Sequence, residues 1–250
     1  MGSIEHFLME CTVPLIYQTD EQVGVRGTGV FFEHHGRSFL VTAGHVVDAI
    51  DPNNLGVPER AGKDVCVLHF GDGQVHHPRN TNEYDVAVVE LKNKEFVSLA
   101  NAGWRFRSAS NVSLEDEAGG NYIVAGYPAR TVESIDGVLT PYALMQIYTG
   151  AYDGEVDGVR GEFDLFLRYG RDATNTFGTR KATPELEGVS GAAVYRVLSS
   201  RDVLWAPEGI LKIVGIQVSY FHSKYVRVKR WALVSHLLSL IPNAPEHVCT

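Results

Sequence analysis

The sequence predicts an all-β chain finished by one α-helix. Two observations predict it. Short apolar stretches recur with glycine-rich turns between them, and 25 glycines and 11 tyrosines suit a chain of strands and turns. Only one stretch carries a convincing helical period: Trp231, Val234, Leu237, Leu238 and Ile241 recur at spacings of three and four, and Pro242 ends the run. Many strands with a single terminal helix argue against strand–helix alternation and for barrels or a sandwich.

The elements follow in order. Val23–Phe32 (VGVRGTGVFF) reads as a strand region, His34-His35-Gly36-Arg37 as a hairpin turn, and Ser38–Thr42 as the returning strand. Val86–Leu91, Tyr122–Ala125, Asp164–Tyr169, Ala192–Val197 and Ile213–Tyr220 read as further strands. Arg107–Gly120 (RSASNVSLEDEAGG) is polar, ends in Gly-Gly and reads as a linker between two halves; its Glu115-Asp116-Glu117 is a solvated face. No internal repeat or low-complexity segment is evident.

Composition removes several function classes. The net charge is −8 and no dense Lys/Arg run occurs, so no nucleic-acid partner is expected. The three cysteines, Cys11, Cys66 and Cys249, are odd in number and form no CxxC pair, so neither a zinc site nor a full disulfide framework is indicated. Reduced thiols in a cytoplasmic protein are the simple reading, with one bridge and one leftover thiol also open. The start, MGSIEHFLMECTVPLIYQ, lacks the basic-then-apolar form of a secretory signal, and Asn111-Val112-Ser113 reads as a chance sequon. The apolar run Trp231–Ile241 is interrupted by Ser235, His236 and Ser239 and is too short to span a bilayer, so no membrane partner is expected. His34-His35 and His76-His77 sit in polar turns without a third ligand at metal-binding spacing; they read as solvated loops, and no metal or other cofactor is expected.

Three short segments carry chemistry. Val41-Thr42-Ala43-Gly44-His45-Val46 (VTAGHV) ends a strand. Glu83-Tyr84-Asp85-Val86-Ala87-Val88 (EYDVAV) begins one. Gly188-Val189-Ser190-Gly191-Ala192 (GVSGA) is a loop before another. Serine is a weak nucleophile at neutral pH and needs a base within hydrogen-bond reach; that base needs a third group to fix its tautomer. His45 suits the base, Asp85 the orienting carboxylate and Ser190 the nucleophile. The glycines beside Ser190 free the backbone, and the amides of Gly188 and Ser190 are the candidate oxyanion-hole donors.

VTAGHV resembles the TAAHC-type histidine motif of trypsin-like serine proteases, YDVAVVEL their aspartate motif, and GVSGA their GDSGG nucleophile motif. The three stand in the order His, Asp, Ser, 40 and 105 residues apart. GTGVFFEHHGRSFLVTAGHV resembles the hairpin leading into the histidine, VAGYP (Val124–Pro128) a strand opening the second barrel of HtrA-like enzymes, and GIQVSY (Gly215–Tyr220) the strand beside the substrate. The resemblance covers roughly Val13 to Ile241. It implies two six-stranded antiparallel β-barrels packed together with a C-terminal α-helix: residues 11–106 carry His45 and Asp85, 107–120 link the barrels, 121–226 carry Ser190, and 228–241 form the helix that packs on the second barrel.

The implied function is a serine endopeptidase acting through an acyl-enzyme on a polypeptide substrate, with room for a regulatory protein partner. Val189 stands where secreted zymogens carry an Asp, and no IVGG-like segment precedes it, so no zymogen switch is implied. In the family the floor of the first specificity pocket lies six positions before the serine, here Pro184, close to Glu185 and Glu187. Ser219, Tyr220 and Phe221 fall on its wall. Phe221, standing where glycine often sits, implies small or medium uncharged residues before the cut bond. His222 follows that strand as a solvated residue. Two other readings compete: a catalytically silent trypsin-like module that binds or scaffolds a partner, and an α/β-hydrolase. The last needs a helix directly after Ser190, where the sequence reads as a strand.

Overall fold

The computed structural model describes residues 3–19, 23–48, 50–60, 67–78, 81–115, 120–135, 138–141, 144–158, 160–175, 177–198 and 206–242. Cys66, Cys249 and residues 116–119 of the proposed linker lie outside them. Cys11 is a buried free thiol, which burial pushes up to a pKa of about 11.

The first half opens with a helix, α1 (Ile4–Cys11). The Ser3 hydroxyl caps it by accepting the His6 amide, and Phe7, Leu8 and Cys11 are its buried face. Eight strands follow: β1 (Val13–Gln18), β2 (Val23–His34), β3 (Arg37–Thr42), β4 (Leu55–Pro58), β5 (Val67–His69), β6 (Gln74–His76), β7 (Ala87–Glu90) and β8 (Arg107–Ser108). They form one curled sheet in the order β5-β4-β1-β2-β3-β7-β6; every pair along it is antiparallel, and β8 runs parallel to β2 off the path. Helices α2 (Gly44–Val47), α3 (Thr81–Tyr84) and α4 (Lys94–Gly103) lie between strands. The β2–β3 hairpin turns at His35 and Gly36, both at positive φ (47° and 71°), which suits the right-handed twist of the paired strands.

The second half contains β9 (Asn121–Gly126), β10 (Val132–Ile135), β11 (Val138–Pro141), β12 (Met145–Gly150), β13 (Asp164–Arg168), β14 (Asp172–Thr174), β15 (Arg180–Ala182), β16 (Ala193–Val197), β17 (Leu211–Phe221) and β18 (Tyr225–Arg230), with α5 (Pro207–Ile210) and α6 (Trp231–Leu240). Six of these strands order as β12-β9-β16-β17-β18-β13. The outer two meet through a bridge between Ala151 and Leu167, and the Tyr152 amide donates to the Phe166 carbonyl at 2.8 Å. The six strands therefore curl into a ring. The molecule is two packed antiparallel β-barrels with a C-terminal helix, as the sequence implies.

One apolar core fills the first barrel and continues between the barrels through Ile123, Ala193, Tyr195 and Ile216. A second fills the other barrel with Tyr122, Val124, Leu167, Val194, Val226 and Val228. Helix α6 buries Trp231, Leu233, Val234, Leu237 and Leu238 in the first of these. The Trp231 ring lies 5.0 Å from Phe32 of β2, so the helix binds both halves rather than the second alone. Each such side chain contributes roughly 1.5–3 kcal/mol on burial.

Three features depart from the sequence expectation. The first sheet has eight strands, not six. Helix α1 and helix α4 were not expected; α4 is capped by Asn93 and buries only Phe96 and Ala100, too short an apolar stripe to announce a period. The stretch expected to be linker contains β8, whose Arg107 and Ser108 pair with Phe32 and Glu33. No helix among the described residues is long and apolar enough to cross a membrane.

Candidate active site

The antiparallel register of β3 and β7 sets Thr42 opposite Ala87, which brings the residues just beyond them, Gly44-His45 and Asp85, together. Asp85 grips His45 twice. Its Oδ1 accepts the His45 backbone amide at 2.9 Å, and its carboxylate lies 2.9 Å (Oδ2) and 3.1 Å (Oδ1) from Nδ1. A carboxylate there keeps the ring proton on Nδ1 and leaves Nε2 as the basic nitrogen. The His45 side chain is 48% exposed, so that nitrogen is open to a ligand. Gly44 permits the approach: a Cβ on it would lie 3.1 Å from Asp85 Oδ1.

The Ser190 loop is held differently, by backbone packing against the first barrel. Gly188 and Gly191 take φ of +87° and +93°, conformations that L side chains rarely adopt. A Cβ on Gly191 would stand 1.9 Å from the Thr28 carbonyl oxygen and 2.1 Å from Thr42 Oγ1; one on Gly188 would stand 2.5 Å from the Ala129 amide. The loop therefore abuts the strand end that leads into His45. Thr28 fastens it: its amide donates to the Ser190 carbonyl (2.8 Å), and its hydroxyl donates to the Gly188 carbonyl (2.9 Å) while accepting the Tyr127 amide (3.1 Å). The Thr42 hydroxyl donates to the Thr28 carbonyl at 2.7 Å.

Within the loop the amides of Val189, Gly191 and Ala192 donate to Leu186, Gln217 and Val189 carbonyls. Those of Gly188 and Ser190 donate to no acceptor among the described residues. An oxyanion needs two donors of this kind that are not already bonded. No hydrogen bond joins Ser190 to His45 among the described residues; in ligand-free sites such bonds are commonly longer than in the complex.

The remaining sequence-predicted residues separate. Tyr220 faces the loop, its hydroxyl donating to the Glu185 carboxylate, and burial together with that bond raises its pKa. Ser219 and Phe221 are exposed; the Phe221 ring packs on Tyr225 (5.8 Å) with Lys224 Nζ 4.5 Å above it. Pro184 accepts the Tyr169 hydroxyl through its carbonyl, and its ring lines a groove of about 1140 Å³ with α1 and β12 residues. His222 Nδ1 stands 3.9 Å from Glu185. His76 and His77 each face one carboxylate, Glu90 at 3.8 Å and Asp48 at 3.6 Å, rather than solvent alone. No group of three or more metal-ligating side chains gathers among the described residues.

Sequence reasoning missed Thr28, whose role exists only because two distant segments meet. It also missed a buried ionic cluster below the site. Asp164 accepts Arg227 Nε (3.0 Å) and Nη2 (2.8 Å), Lys229 Nζ (2.7 Å) and the Gly161 amide (2.8 Å). Burial alone pushes its pKa up, but the hydrogen bonds and the two cations outweigh burial and hold the carboxyl below its ordinary range. The Phe163 ring beside it packs edge-on against Tyr84, the neighbour of Asp85, at 5.9 Å.

One solved structure, from work on aromatic interactions in the coupled folding and binding of the intrinsically disordered Sesbania mosaic virus VPg protein, matches 92% of this chain and 91% of its own. The identity is 17% and the TM-score 0.52, a likeness of fold alone. No protein-family model matches the chain, and no curated protein matches it.

Proposed function

We propose that the protein is a serine endopeptidase of the trypsin-like kind, with His45, Asp85 and Ser190 as its triad. The observation that carries the reading is the Asp85 clamp on His45, with the Ser190 loop packed against Thr42 and Ala43 beside it and the Gly188 and Ser190 amides unspent. Ser190 Oγ attacks the scissile carbonyl carbon and its proton passes to His45 Nε2. The oxyanion that forms is received by the Gly188 and Ser190 amides. Collapse breaks the carbon–nitrogen bond, and His45 returns the proton to the departing amine; water then repeats the sequence on the acyl-enzyme.

Gln217 still bonds Gly191 and Ala192 through its backbone; beyond it, from Ser219 to Phe221, β17 pairs with β18 only. Its other edge there is suited to an extended peptide added as a strand.

The test is labelling by a fluorophosphonate probe together with hydrolysis of a peptide library. Wild type is expected to label and cleave, and Ser190→Ala to lose labelling and about a millionfold in turnover while its melting curve stays unchanged. A wild-type protein that neither labels nor cleaves sinks the reading and leaves the binding module in its place.

A further inference from the structure

We infer that Gln217 selects the side chain that enters the first specificity pocket, and that it selects small neutral hydrogen-bonding residues, threonine and asparagine, ahead of valine and leucine. The inference rests on the peptidase reading and names the substrate class of that site. Gln217 is fully buried, yet neither Oε1 nor Nε2 has a hydrogen-bond partner among the described residues. Buried side-chain amides are nearly always matched, so one left open on both ends is a candidate for receiving a ligand.

Its position points to the substrate. The Gly191 amide donates to the Gln217 carbonyl and the Gln217 amide to the Ala192 carbonyl, both at 2.8 Å, so the residue abuts the nucleophile loop through its backbone. Its neighbours Ile216 and Val218 turn into the core between the barrels. Gln217 pairs across the ladder with Val228, which belongs to the other apolar cluster together with Leu186, Val189 and Ala192 of the loop. The next pair on that face is Tyr220 with Val226, and Tyr220 is tied to Glu185 across the entrance. The amide thus lies on the loop side of β17, behind Tyr220, walled by valines and alanine.

The chemistry of the selection follows. A substrate hydroxyl or primary amide supplies a donor and an acceptor and can satisfy both ends of the Gln217 side chain. An apolar isostere fills the same volume and leaves both ends unmet, which costs about ten- to a hundredfold in binding. Sites built to hydrogen-bond a substrate group reject the analogue that lacks it far more strongly than apolar pockets reject a size change.

The experiment takes the best sequence from a peptide library and varies only the residue before the cut bond, Thr against Val and Asn against Leu. Two readouts are used: kcat/KM with the wild type, and calorimetric binding to the Ser190→Ala protein. The expected result is a preference of tenfold or more for Thr and Asn in both, erased or reversed in Gln217→Met. Equal treatment of Thr and Val by the wild type overturns the inference, since the amide is then satisfied internally by water. So does an unchanged ratio in Gln217→Met, a lack of peptide binding, or a dominant preference for Lys and Arg, which would make Glu185 the selector. If the wild type neither labels nor cleaves while the Ser190→Ala protein still separates Thr from Val, the peptidase reading falls and the pocket assignment stands.

Discussion

The two arms of the candidate site are held by different physics. His45 is fixed by the charged and polar atoms of one side chain, Asp85, reaching it from the next strand of the same barrel. Ser190 is fixed by shape: two left-handed glycines let the loop press against Thr28, Thr42 and Ala129, and its hydrogen bonds run through backbone carbonyls. The first arm is therefore chemically fragile and structurally tolerant. The second is the reverse.

That contrast can be broken or sharpened in four steps. Asp85→Asn keeps the shape and removes the carboxylate, so kcat is expected to fall by about ten-thousandfold, because the amide favours the wrong histidine tautomer; the melting temperature should barely move, and a variant that unfolds instead breaks the comparison. Gly191→Ala leaves His45, Asp85 and Ser190 in the chain, yet its methyl would collide with the Thr28 carbonyl at positive φ. A loss of about 4 kcal/mol or failure to fold is expected in denaturant titration, and a stable protein with normal turnover refutes the account of the loop.

Lys229→Met asks whether charge carries structure elsewhere. It strips one of two cations from buried Asp164, and about 3 kcal/mol should be lost by the same titration; a neutral result would mean that Arg227 suffices alone. The smallest effect is the acid profile. Burial holds His76 below its ordinary value of 6.5 despite Glu90, so its contribution to stability is complete above that value and is lost as pH falls from there through its lower folded pKa. Asp164, held below 3.8, contributes stability that persists above that value and goes only as pH falls through its still lower folded pKa. Melting temperatures across this range should therefore decline in two stages, and a flat curve between pH 7 and 5 removes the His76 contribution.

The strands that the sequence announces are those with long apolar runs and a turn residue at the end. β2, β3, β9, β17 and α6 lie where the pattern places them. Helix α1 escaped because its stripe of Phe7, Leu8 and Cys11 spans little more than one turn; Ser3 ahead of it was the available signal, as was Asn93 ahead of α4. His45, Asp85 and Ser190 were legible because motifs mark them. The structure sets the first two in contact and lays the Ser190 loop against the turn beside them. Thr28, Gln217 and the Asp164 cluster carry no local mark. Thr28 sits 160 residues from Gly188, whose carbonyl it binds. Gln217 is one polar residue in an apolar strand, unremarkable until its partners are counted.

Thr28 also has a consequence in time. A ribosome delivers the strands of the first barrel, with His45 and Asp85 on them, long before Ser190 has been joined to the chain. The donors and acceptors of Thr28 that face the second half then have nothing to bind. They close only when the Ser190 loop arrives, in the last quarter of synthesis, and folds onto them. The Ser190 loop thus reaches its final shape only as the second barrel docks, so a half-made chain holds only one arm of the candidate site.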